Sequence, residues 1–184
     1  MRKVNAVISI TVIVLLVIHA VAGGFQLIGV FPGGNRVLTV LARIMAVLIL
    51  AHAAIGIKLT LDTAKAIRKS GVSYGRENRI FWARRISGFA AMLFVFCHIS
   101  IFLGVPGEVY RLNVFEGVQL ATQLLMVLSI AVHVLTNIKP LLISFGIKGF
   151  RIYVKDVLFV LAIILWFGGM AMVIYYLRWN VFWR

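Results

Sequence analysis

The sequence predicts an all-α integral membrane protein of five transmembrane helices, the first four of them forming one bundle. Two observations carry that class. The 184 residues are 62% hydrophobic and only 13% charged, against roughly 25% charged in soluble domains, and mean hydropathy is +1.05. The apolar residues also gather in five runs of about 20 or more, enough to cross roughly 30 Å of hydrocarbon at 1.5 Å rise per residue. These are residues 4–27, 37–61, 81–104, 114–138 and 154–177, and the whole chain, 1–184, reads as a single transmembrane domain.

The first run follows Met1-Arg2-Lys3, as a signal peptide would. It is too long for the apolar part of such a peptide and carries a histidine, so it is read as a mature span. Phe31-Pro32-Gly33-Gly34-Asn35 turns the chain into the second run, and Val105-Pro106-Gly107-Glu108 joins the third to the fourth. Connections this short make neighbouring helices antiparallel. In the fifth run Trp166 sits within the span, while Tyr175, Tyr176, Trp179 and Trp183 gather at its end as an interfacial belt.

A net charge of +14 invites a nucleic-acid reading, but its distribution excludes one. Fourteen bases fall on one side of the membrane: Arg2 and Lys3; Lys58, Lys65, Arg68, Lys69, Arg76, Arg79, Arg84 and Arg85; Lys139, Lys148, Arg151 and Lys155. Arg36, Arg43, Arg111, Arg178 and Arg184 fall on the other. The positive-inside rule then puts the N-terminus in the cytoplasm and the C-terminus outside. The basic loops contact anionic lipid, and residues 62–80, the longest connection, are expected to offer a docking surface to a cytoplasmic partner.

Cys97 is the only cysteine, which excludes a disulfide framework and a thiolate-held iron-sulfur cluster; it is expected to be a small buried residue. The histidines are more informative. His19, His52, His98 and His133 are the only four, one in each of the first four runs, and ionisable groups in hydrocarbon mark functional sites by default. Counted from the helix ends, His19 and His98 lie in the outer half and His52 and His133 in the inner half. Histidines matched in depth thus sit on the diagonals of a four-helix bundle laid out in sequence order. Each matched pair is expected to ligate the iron of one haem b, two haems in all, through two neutral imidazoles that leave no axial position for oxygen.

The halves also repeat. The histidines of helices 1 and 2 are 33 residues apart and those of helices 3 and 4 are 35 apart, and an isoleucine and a lysine follow both His52 and His133 at plus five and plus six. A parallel repeat about the membrane normal would produce this. Lys58 and Lys139, roughly 9 Å inward of the inner ligands by helix rise, are placed either to pair with propionates or to snorkel to the interface. Arg43, about two turns into helix 2, is the expected propionate partner of the outer haem. Gly23, Gly24, Ala53, Ala54 and Gly56 suit close approach to a flat macrocycle or to a neighbouring helix.

This pattern resembles the five-helix dihaem cytochrome b anchor of succinate:quinone oxidoreductases and quinol:fumarate reductases, the complex II family. Helix count, an inside N-terminus and one histidine on each of the first four helices agree, and Arg85-Ile86-Ser87-Gly88 is similar to the family's R-x-S-G. The resemblance covers essentially the whole chain. It implies a non-catalytic membrane subunit of the bacterial or archaeal cytoplasmic membrane, relaying electrons between an iron-sulfur subunit and quinone, menaquinone being the expected type. A flavoprotein subunit would handle succinate and fumarate. It also implies an outer haem held by His19 and His98 and an inner one held by His52 and His133.

For the quinone, Gln26, Arg36, Glu108, Glu116 and Gln119, with Asn35 and Asn113 nearby, are the expected outer set; an inner site would use Arg85, Ser87, Asp62 or Asn137. No carboxylate lies mid-membrane, so an acidic proton relay is not visible. The same histidines also suit the cytochrome b of a hydrogenase or formate dehydrogenase, a b561-type carrier, or a haem-free transporter or scaffold with a polar path.

Overall fold

The computed structural model describes residues 1–71, 79–105, 107–146 and 151–182. Arg76, Glu77, Pro106, Lys148, Trp183 and Arg184, and with them the middle of the basic 62–80 connection, lie outside the described residues. Among the described residues the chain is helical with no strand. Its helices are α1 (Arg2–Leu27), α2 (Arg36–Ser70), α3 (Arg79–Phe102), α4 (Gly117–Ser144) and α5 (Arg151–Leu177), followed by a short π-helical turn, Arg178–Phe182. All five α-helices are long and apolar enough to cross a membrane.

Two helices depart from the apolar runs, each for a local reason. α2 starts where the Asn35 side chain accepts from the Val37 and Leu38 amides at 3.0 and 3.2 Å, as an N-cap does. It then continues nine residues beyond Leu61 as a polar helix, with Arg68 and Lys69 in a last turn that favours positive charge. Gly71 ends it at φ 64°, a left-handed cap that glycine adopts without penalty. α4 starts later than its apolar run because Glu116 caps it, the Gln119 side chain accepting from the Glu116 amide at 2.8 Å.

At its far end α4 passes through Pro140 to Ser144. Proline has no amide to give the carbonyl four residues earlier, here that of Thr136. Arg84 of α3 supplies the missing donor, its Nε reaching the Thr136 oxygen at 2.8 Å.

Around the ring, α1 packs on α2, α2 on α3, α3 on α4 and α4 on α1, while α5 lies outside against α1 and α4. Among the described residues the diagonal partners, α1 with α3 and α2 with α4, make no close backbone approach. The bundle therefore keeps a gap along its axis.

The two ends are built differently. At the end carrying the interhelical turns, Gly33 and Val109 exchange backbone hydrogen bonds at 2.7 and 3.3 Å, joining the α1–α2 turn to the α3–α4 turn. Gly34, at φ 79°, lies so close to the Gly107 carbonyl that no side chain fits. Beneath the turns lies the larger buried cluster, including Leu27, Ile101, Phe115, Met126, Met172 and Tyr175. Tyr175 is fully buried and donates to the Leu112 carbonyl at 2.6 Å, and Asn180 reaches the Phe115 carbonyl at 3.1 Å. The end carrying Met1 has only a small cluster, Ala6, Ile138 and Leu141.

Candidate functional site

A cavity of about 520 Å³ occupies the gap, and all four histidines line it. Across it the His19 and His98 rings face each other with centres 5.9 Å apart and planes at 80°. One level nearer Met1, His52 and His133 repeat the arrangement at 6.0 Å and 82°. Each pair joins diagonal helices, α1 to α3 and α2 to α4. The spacing has chemical meaning: about 2 Å from a metal to each imidazole nitrogen, plus roughly 1 Å from nitrogen to ring centre on either side, makes about 6 Å.

Three of the rings are anchored through Nδ1. His98 meets Oε1 of Gln123 at 2.7 Å. His133 lies 3.1 Å from the Arg84 carbonyl and 3.5 Å from the Ser87 hydroxyl. His52 lies 3.2 Å from the Ser9 hydroxyl. A backbone carbonyl and an amide oxygen only accept, so His98 and His133 donate from Nδ1; as neutral imidazoles they present an unprotonated Nε2. Among the described residues His19 makes no hydrogen bond.

Several of these positions follow from features of the chain already met. The carbonyl that orients His133 belongs to Arg84, whose side chain is held by the vacancy Pro140 leaves at Thr136. Gly88 lets the His133 ring lie against the α3 backbone: a Cβ there would fall 2.9 Å from its Cε1 and 3.1 Å from its Nδ1. Gly23, Gly24, Ala53 and Gly56 all line the cavity, and Gly24 additionally leaves room for the Phe167 ring of α5. Ala54 instead faces outward.

The cavity wall changes character along its length. Near His19 and His98 it is apolar, with Leu27, Met45, Ile49, Val95, Met126 and Met172. Towards Met1 it gains Asn5, Ser9, Thr60, Arg84, Arg85 and Asn137. Two polar atoms there, Asn5 Oδ1 and Arg85 Nε, are buried without a hydrogen-bond partner among the described residues. Buried polar atoms are normally satisfied, so orphans lining a cavity mark a place for a polar ligand or water.

Not every residue singled out from the sequence reaches this cavity. Arg43, Lys58 and Lys139 are exposed on the outer surface of their helices and do not line it. Arg84 and Arg85 are the basic residues on the wall. The expected outer quinone set is not brought together there either. Gln26 donates to the Pro32 carbonyl at 3.2 Å, Gln119 caps α4 at Glu116, Asn35 caps α2, and Arg36 and Glu108 are exposed. Asn113 donates to the Ile101 carbonyl at 2.8 Å. Of the inner set, Arg85 and Asn137 line the cavity, Ser87 approaches His133, and Asp62 is exposed on the α2 extension. Cys97 is half-buried and takes no part.

Nothing in the sequence alone distinguishes Gln123. A glutamine ten residues before a histidine puts the two nearly three helical turns apart, with no local relation; its link is to the histidine of the neighbouring helix. Comparison with known proteins yields no match, whether to family models, to curated sequences or to solved structures.

Proposed function

We propose that this chain is a dihaem cytochrome b, the membrane-anchor subunit of a succinate:quinone oxidoreductase or quinol:fumarate reductase. The observation that carries the reading is the pair of facing imidazole sets at 5.9 and 6.0 Å, each spanning a diagonal of the bundle. Among the described residues each pair stands without a third protein ligand, fewer than the three or four a zinc site takes, and would suit a metal already held by a macrocycle. His19 and His98 would hold one haem b and His52 and His133 the other. Held by these histidines, a haem would supply a one-electron couple.

The residues of the chain do the rest. Gln123, Arg84 and Ser9 orient three of the four rings, as partners of metal-bound histidines commonly do. Gly88 and the glycines of α1 clear the space between helices. Arg84 and Arg85 offer positive charge to carboxylates at the end of the cavity nearest Met1. The same end suits the quinone head group, because Asn5 Oδ1 and Arg85 Nε present an acceptor and a donor there. With the N-terminus cytoplasmic, as the charge distribution directs, this polar end faces the iron-sulfur subunit, with the flavoprotein subunit beyond it. The basic extension of α2 lies on that side too.

The test is a dithionite-reduced minus oxidised spectrum of the purified chain, with haem quantified per polypeptide. Two low-spin b haems are expected. A folded preparation from haem-replete cells that contains none contradicts the reading and favours a haem-free transporter or scaffold.

A further inference from the structure

The two histidines of the pair at the apolar end are held unequally. His98 is hydrogen-bonded at 2.7 Å, whereas His19 makes no hydrogen bond among the described residues. The partner of His98 is unusual in its setting. Gln123 is completely buried, it does not line the cavity, and its other hydrogen bond among the described residues runs from Nε2 to the Thr122 hydroxyl at 3.2 Å. It therefore stands behind the His98 ring, on the side away from the gap. A fully buried primary amide is costly unless its hydrogen bonds are made; here its oxygen accepts from His98.

The internal repeat sharpens the contrast. Ten residues before His133 the chain has Gln123, and ten residues before His52 it has Ala42. The second half of the chain therefore supplies a hydrogen-bond acceptor where the first supplies a methyl group.

We infer that Gln123 is a positioning residue that fixes His98 as the Nδ1–H tautomer and sets the reduction potential of the cofactor held by His19 and His98. The inference rests on the dihaem reading. Its physical basis is that an acceptor at Nδ1 makes the imidazole a stronger donor through Nε2, which favours the oxidised metal. An amide oxygen gives a moderate effect, a carboxylate a larger one, and an apolar side chain none.

Redox titration of the full-length wild type, Gln123→Glu and Gln123→Leu, followed optically, tests this. The cofactor concerned is identified as the one that His98→Ala removes. Its potential should fall below wild type in Gln123→Glu and rise above it in Gln123→Leu, with the other potential unchanged. If Gln123→Leu loses that cofactor altogether, a lowered potential in Gln123→Glu still carries the inference. Unchanged potentials, shifts of the same sign, or loss of that haem from both variants would make Gln123 a packing residue and overturn it. A wild type without haem would instead overturn the reading beneath it.

Discussion

The histidine pairs are alike in spacing and angle yet lie in opposite surroundings. His19 and His98 sit in an apolar stretch of cavity, beneath turns joined by the Gly33–Val109 bridge and tied to the C-terminal helix through Tyr175 and Asn180. His52 and His133 sit where the wall turns polar, with two buried polar atoms unpartnered among the described residues. The same pair of side chains is thus used twice, and what changes is access. The apolar end is closed by loops that satisfy one another, whereas the polar end has hydrogen-bonding capacity to spare. On the proposed reading, this asymmetry favours the end nearest Met1 for contact with a diffusing polar ligand.

The comparison breaks most readily at the closed end. Gly34→Ala would put a Cβ onto the Gly107 carbonyl at a positive φ, so it should destabilise the fold by about 2–3 kcal/mol, the cost of a strained backbone position. Thermal unfolding in detergent measures it, and a wild-type midpoint would mean the two turns do not pack as described. At the polar end, Gly88→Ala would crowd the His133 ring, an overpacking of about 1–3 kcal/mol. Its expected signature is selective: the spectrum belonging to His52 and His133 changes and the other does not.

Tyr175→Phe removes one hydrogen bond to the Leu112 carbonyl and should cost about 1 kcal/mol, with both cofactors retained. Loss of either haem would show that closure of the apolar end is needed for binding, a stronger link between the ends than proposed here. Ser9→Ala should have the smallest effect. It removes a 3.2 Å contact to His52 and should change stability by under about 1 kcal/mol, with a small potential shift confined to the pair near Met1.

Which histidine stands opposite which was legible in the sequence, because depth along a helix is a matter of counting residues. Which way a side chain faces around the helix was not. Its place within an apolar run marks Arg43 as an anion partner, yet the residue is exposed on the outer surface of α2. Helices in a membrane are apolar on the lipid side and on the packed side alike, so the hydrophobic pattern does not mark the inward face. The five spans were legible for the same reason, since hydropathy reads length well.

The ends of α2 and α4 were less so. Past Leu61 the α2 sequence turns polar while remaining helix-forming, and hydropathy stops at the membrane even though the helix continues. Pro140 reads as a stop, yet α4 passes through it because Arg84 provides the hydrogen bond the proline withholds. That compensation, like the Gln123–His98 bond, joins residues 52 and 25 positions apart and exists only once α3 and α4 are packed.

The central claim is that each diagonal of the bundle holds one cofactor, and the haem content of the double variant His19→Ala/His98→Ala tests it most directly. The account predicts one haem per chain, with the spectrum that each single variant also leaves. Loss of both haems from the folded double variant, or loss of the same haem from His19→Ala and His52→Ala, would contradict it.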